Sequence, residues 1–257
     1  MNIHPYLARI HYEGQTLADL ATLRSLHLAH VTTIPFENLD IQVGLPIDLA
    51  ITALERKMLQ ARRGGYCFEQ NSLFLAALRE IGFRVSPCEA RVFDGGTAVT
   101  PRTHMLLLVS LDEGQWLCDV GFGGSTPLEP VPLDGSVVEQ GGTCYRVEAR
   151  EGRYLLQADA GEGWTDQYVF EAAPREPIDF ELANWYTSTH PESRFVKTLT
   201  AQLRTACGWK VLRNLQWTER RADAVVSGVV RREELEQFLV SEFGLRVPAG
   251  SRFRALD

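Results

Sequence analysis

No stretch of this chain approaches the run of about eighteen apolar residues that a membrane-spanning helix needs. It also has no Cys-x-x-Cys pair. Its five cysteines, at 67, 88, 118, 144 and 207, are odd in number and widely spread, which argues against a disulfide framework and against a zinc knot. The opening Met1-Asn2-Ile3-His4-Pro5-Tyr6 lacks a basic stretch followed by an apolar one, so no secretory signal and a cytoplasmic location are expected. Positive charge is not in excess. A net charge of -7 argues against nucleic acid as a partner, while leaving room for a local basic patch facing an anionic ligand. Internal repeats and low-complexity segments are missing too. What is there is a globular composition, 45% hydrophobic and 23% charged over 257 residues, long enough to bury a substantial core.

The most informative stretch is Arg62-Arg63-Gly64-Gly65-Tyr66-Cys67-Phe68-Glu69-Gln70-Asn71. Before it, Ile51, Leu54, Met58 and Ala61 recur at helical steps, and Gly64-Gly65 is where such a helix would stop. After it, Leu73, Phe74, Ala77, Leu78 and Ile81 form a second apolar helical face ending at Gly82. Cys67 therefore sits at a helix N-terminus, where unpaired N–H groups and the helix dipole favour a thiolate and could serve a developing oxyanion. The competing reading is a small, inert, buried side chain.

Upstream, Thr16 to about His30 reads as a helix capped by Thr16. His27 and His30 share one of its faces. Their spacing would suit a metal, but no third ligand is near, so a solvated or helix-packing pair is the expectation. Phe36 to Asp40 reads as a turn. After Gly82, short segments rich in branched and aromatic residues alternate with turn clusters, giving an antiparallel sheet or barrel over Phe83–Phe93, Thr103–Leu111, Gln115–Val120, Tyr145–Ala149, Tyr154–Ala158 and Trp164–Phe170. Pro174 and Pro177 mark a boundary. Possible strands near 195–204 and 209–219 and a final helix from about 231 to 243 make a third, mixed unit. The expected fold class is α+β in three parts: helical, 1–83; β-barrel, 84–189; α/β, 190–257.

A cysteine nucleophile needs a base, and the base an orienting group. Of six histidines, only His104 opens an otherwise apolar strand, Met105-Leu106-Leu107-Leu108-Val109. The next strand holds one carboxylate, Asp119, itself flanked by apolar residues; two such isolated polar groups are costly unless paired. Asp112-Glu113-Gly114 should join the two strands as a hairpin. A plain three-residue turn, pairing Leu111 with Gln115, sends His104 and Asp119 to opposite faces. A loop of even length, or a bulge, brings them to the same face. A Cys-His-Asp constellation thus predicts the even loop or the bulge, and a surface hairpin with unrelated polar residues predicts the plain three-residue turn.

Phe36-Glu37-Asn38-Leu39, Arg63-Gly64-Gly65-Tyr66-Cys67-Phe68-Glu69-Gln70-Asn71, Ala90-Arg91-Val92, His104-Met105 and Trp116-Leu117-Cys118-Asp119-Val120-Gly121-Phe122-Gly123 follow one another in an order that resembles the arylamine N-acetyltransferases. The resemblance is strong over about residues 1 to 130. It continues weakly through Asn184-Trp185-Tyr186-Thr187-Ser188-Thr189-His190-Pro191 to the C-terminal helix. It implies a helical bundle, a β-barrel and an α/β lid on a cysteine-protease or transglutaminase-like core. It also implies Cys67 as the acetyl-accepting nucleophile, His104 as its base, Asp119 as the group orienting His104, acetyl-CoA as donor, and small aromatic amines or hydrazines as acceptors, with no metal. Similarity further suggests Phe36, Val92 and Phe122 as the lining of an apolar aryl pocket, and Gly121, Gly123, Gly124 and Ser125 as backbone donors or points of close approach for CoA. Ordinary core and an ordinary turn are the alternatives for these two sets. Arg63 is expected to pair with Glu37 or Glu69 beside Cys67. A cysteine hydrolase or transglutaminase-like acyltransferase working without CoA shares the same residue order, and a binding protein with an inert Cys67 is the non-catalytic alternative.

Overall fold

The computed structural model describes every residue except 94, 97, 98, 222, 223 and 249. Its first part is helical: α1 (Ile3–Arg9), α2 (Leu20–Thr33), a two-residue strand β1 (Phe36–Glu37), and the single-turn helices α3 (Leu39–Gln42) and α4 (Ile51–Leu54). Helix α4 runs on as a π-helical stretch, Glu55–Gln60. α5 (Cys67–Ile81) follows and stops at Gly82, whose backbone is left-handed. The cap of α2 is Asp19, which accepts from the Thr22 amide at 2.8 Å, so the helix starts later than the Thr16 cap implied and extends past His30. Tyr6, Leu23, Leu26, Met58, Phe68 and Phe74 bury themselves between these helices.

The diglycine before Cys67 does more than end a helix. A Cβ on Gly64 would sit 2.0 Å from the Pro35 carbonyl oxygen, so only glycine lets this segment lie against the chain entering β1. The two segments are joined there, with Glu37 N–H donating to the Gly65 carbonyl at 3.0 Å.

Eight antiparallel strands follow: β2 (Arg84–Val92), β3 (Arg102–Leu111), β4 (Gly114–Cys118), β5 (Val131–Pro132), β6 (Val138–Gln140), β7 (Thr143–Arg150), β8 (Arg153–Asp159) and β9 (Thr165–Phe170). They form one sheet in the order β5-β4-β3-β2-β9-β8-β7-β6, and β5 comes back against β7, so the sheet curls into a nearly closed barrel. Its interior holds Leu106, Leu117, Tyr145, Val147, Leu156 and Tyr168.

After the barrel strands come α6 (Pro177–Thr189), α7 (Arg194–Lys197), β10 (Thr200–Thr205), β11 (Gly208–Arg213), β12 (Gln216–Arg221), β13 (Ala224–Val229) and α8 (Leu235–Phe243). The region near 195–204 is thus helix before it is strand, and 209–219 is two strands of a hairpin. Phe36–Glu37 is not a turn: β1 is the edge of the second sheet, β1-β10-β11-β12-β13, with Phe36 opposite Gln202. Helix α8 closes this sheet through Leu235, Leu239 and Phe243. No described helix is long and apolar enough to cross a membrane.

Candidate active site

Strands β3 and β4 are joined by the two residues Asp112 and Glu113, with Leu111 opposite Gly114 and Leu107 opposite Cys118. This is the even loop that the Cys-His-Asp constellation predicts, and it brings His104 and Asp119 to one face of the sheet. His104 Nε2 and Asp119 Oδ2 are 2.6 Å apart, both side chains buried. A bulge adds a second adjustment. Ala90 pairs with His104 but Arg91 pairs with Arg102, leaving Thr103 as the extra residue. The Thr103 carbonyl lies 3.8 Å from the Cys67 sulfur.

Cys67 is the first residue of α5 and is 3% exposed. It shares a cavity with the His104 imidazole and lies near enough to raise the pKa of that ring. Burial alone would lower the basicity of His104, but the charge of Asp119, their hydrogen bond and the Cys67 sulfur together outweigh it and raise the pKa to about 10. Burial likewise opposes ionisation of Asp119, yet His104 together with hydrogen bonds from Asn71 and Gly121 lowers its pKa below the ordinary carboxylate value.

Asp119 is held more fully than the sequence suggests. Asn71 Nδ2 donates to Oδ1 at 3.0 Å, Gly121 N–H donates to the same oxygen at 2.9 Å, and the Tyr168 hydroxyl donates to Oδ2 at 2.9 Å. The backbone N–H of Asp119 itself donates to Nε2 of His27 at 3.2 Å, and Nδ1 of His27 meets the Leu128 carbonyl at 3.0 Å. His27 and His30 are fully buried, and His30 lies between the Tyr6 hydroxyl and Gln70. Both ring nitrogens of each are occupied, so the pair packs the helix and is neither solvated nor free to hold a metal. Asn71 was visible as part of the cysteine motif. Tyr168 and His27 carried no local signal, since nothing in their neighbourhoods points to residue 119.

Beside the cysteine lies a cluster of five charges. Arg63 pairs with Glu37 at 2.8 Å and with Asp40 at 2.9 Å, while Glu69 pairs with Lys57 at 2.7 Å. Of the two glutamates proposed for Arg63, Glu37 is therefore the partner. Glu69 also caps α5 by accepting from the Tyr66 amide at 3.1 Å.

Cys67 and His104 open onto a cavity of about 520 Å³, whose lining includes Phe36, Val92 and Phe122. Phe122 meets the His104 ring edge-on, with 5.0 Å between centroids. Gly121, Gly124 and Ser125 also line it, whereas Gly123 is buried and lies against Gln202. The N–H groups of Gly121 and Gly124 are already taken, by Asp119 and by the Gln202 side chain. These two glycines lend the cavity their lack of a side chain rather than donors. A Cβ on Gly121 would lie 2.8 Å from the Cys67 Cα and 2.7 Å from Asn71 Nδ2, so the loop after Asp119 can rest on the cysteine only with glycine there.

Known proteins are similar to this chain in sequence and fold. A family profile described as N-acetyltransferase matches residues 19–252. The arylamine N-acetyltransferase / N-hydroxyarylamine O-acetyltransferase of Salmonella typhimurium is 38% identical over 95% of this chain and 89% of its own length. The arylamine N-acetyltransferase of Mycobacterium tuberculosis is 42% identical over 80% of this chain and 75% of its own. Among solved structures, the Salmonella typhimurium enzyme superposes with a TM-score of 0.91 at 37% identity, covering 96% of this chain and 92% of that one. The Mycobacterium marinum enzyme in complex with CoA superposes with a TM-score of 0.89 at 34% identity, covering 95% and 92%. With the family profile spanning most of its length and relatives this similar, the chain is an acyltransferase and belongs to the arylamine N-acetyltransferase family.

Proposed function

We propose that this chain transfers an acetyl group from acetyl-CoA to an arylamine, arylhydrazine or N-hydroxyarylamine by a ping-pong route through acetyl-Cys67. The observation that carries the reading is Cys67 and His104 side by side in one cavity, with the buried Asp119 bonded to His104 behind them. The CoA bound to the Mycobacterium marinum relative and the substrates in the relatives' names support it.

Asp119 stabilises the imidazolium of His104, and the imidazolium holds Cys67 as thiolate. The thiolate attacks the acetyl carbonyl, the C–S bond to CoA breaks, and His104 supplies the proton to the departing thiol. One thioester replaces another, so the exchange is nearly balanced. An arylamine, largely unprotonated near neutral pH, then attacks the acetyl-enzyme. His104 takes the proton that the nitrogen loses, and Cys67 departs as thiolate. Phe36, Val92 and Phe122 would contact the aryl ring, while Gly121, Gly124 and Ser125 would border the path of CoA. On this reading 1–83 carries the nucleophile, 84–189 the base and its orienting acid, and 190–257 the roof.

Intact-protein mass after brief mixing with acetyl-CoA tests the reading. One acetyl group mapped to Cys67, lost again on adding 4-aminosalicylate or isoniazid, is the expected result. Folded, reduced protein that never acquires the acetyl group would overturn it in favour of a hydrolase working without CoA.

A further inference from the structure

Although the chain carries a net charge of -7, no carboxylate among the described residues lines the cavity above Cys67. Apart from the His104 of the constellation, its charged lining residues are Arg194, which opens α7, and Arg213, which ends β11. Among the described residues neither guanidinium has an ion pair or a hydrogen bond. The cations around them do: Arg204 donates to the Gly124 carbonyl, Lys210 pairs with Glu242, and Arg221 pairs with Glu219. Arg194 only leans over the Phe195 ring, 5.4 Å from its centroid. Its pKa is lowered, first by burial and then by the charge of Arg213, with the Cys67 sulfur opposing. The two cations thus sense each other across the same space that the nucleophile faces. Like charges turned together into a cavity are unfavourable unless an anion joins them, and guanidinium groups are the side chains best shaped to hold an oxyanion.

We propose that Arg194 and Arg213 form a subsite for an oxyanion carried by a ligand that fills the cavity: a carboxylate on the aryl acceptor or a phosphate of the CoA donor. The inference rests on the acetyl-transfer reading above. In a ping-pong cycle the donor leaves before the acceptor enters, so each can present its anion to the same pair in turn.

Two ratios test it in the full-length chain, each taken within one protein preparation so that a partly misfolded variant does not shift it. The first is kcat/KM for 4-aminobenzoate over that for the uncharged 4-aminobenzamide. The second is kcat/KM for acetyl-CoA over that for 4-nitrophenyl acetate, a donor without phosphate. In Arg194→Gln and Arg213→Gln at least one ratio should fall about tenfold, as expected for losing a charge-assisted contact, and Arg213→Lys should recover part of it. A fall in the first ratio identifies the carboxylate, and a fall in the second identifies the phosphate. Both ratios staying within about twofold of the parent in both variants would overturn the subsite. Failure of the underlying reading shows separately, as a parent protein that acetylates neither amine from acetyl-CoA.

Discussion

The backbone N–H of Asp119 donates to Nε2 of His27, on helix α2, at 3.2 Å, so an imidazole remote in sequence fixes the carboxylate bonded to His104. Since Nε2 accepts, Nδ1 carries the proton and donates to the Leu128 carbonyl. The imidazole is thereby locked in one neutral tautomer.

This lock makes stability depend on pH. Burial lowers the pKa of His27 to about 4 and that of His30 to about 3, against hydrogen bonds that raise them. Both folded values lie below the unfolded one near 6.5. The unfolded chain therefore takes up more protons as pH falls through this window, and stability present above about pH 6.5 is lost on acidification, by up to about 1.4 kcal/mol per pH unit for each group. Urea unfolding of the parent and of His27→Gln between about pH 7.5 and pH 5 checks this. The variant should be less stable near neutrality by about 1–3 kcal/mol, because it leaves buried partners unsatisfied. It should also lose less stability on acidification. Parallel pH curves for the two proteins would show that His27 does not titrate as described.

Alkylation should single out Cys67. An imidazolium whose pKa is raised to about 10 persists through neutral pH and keeps the neighbouring sulfur reactive, while Cys207 is simply exposed. At about pH 6 iodoacetamide should modify Cys67 at least about tenfold faster than Cys207, and His104→Gln should erase the difference. Equal rates in the parent would sink the activated-cysteine reading.

Asp119→Asn should lower kcat by at least about 10³ while the protein stays folded, because the amide can neither stabilise an imidazolium nor enforce its orientation. Single-turnover acetylation of Cys67 reads the effect directly. A loss below about tenfold would mean that Asn71, Tyr168 and the Gly121 amide hold the site together without the charge.

Gly121→Ala should impair catalysis out of proportion to stability. The added methyl meets the Cys67 backbone at 2.8 Å, which has to move, and displacement of a nucleophile by a fraction of an ångström costs about tenfold or more in kcat/KM. Thermal unfolding alongside the kinetics separates the two effects. An alanine variant with unchanged kinetics would show that the loop yields instead of the cysteine.

The local order of this protein follows from its sequence. Helical periodicity located α5 and its stop at Gly82, turn clusters separated the strands of the barrel, and the parity of the β3–β4 loop tied the pairing of His104 with Asp119 to an even loop or a bulge. Each of these depends on neighbours a few positions apart, where spacing and side-chain direction are linked by the backbone.

Other features were settled only by packing. Helix α6 escaped the sequence reading because Ile178, Leu182 and Trp185 face solvent while Asn184, Thr187 and Ser188 are buried, so apolar character does not mark its inner face. Phe36–Glu37 became a strand because β10, far along the chain, supplied an edge to pair with. Tyr168 and His27 reached Asp119, and Arg194 and Arg213 came to line one cavity, only once separate elements had folded against one another. Hydrogen bonding and charge act over a few ångströms of space whatever the separation in sequence, and a periodic pattern carries no record of which distant group will arrive.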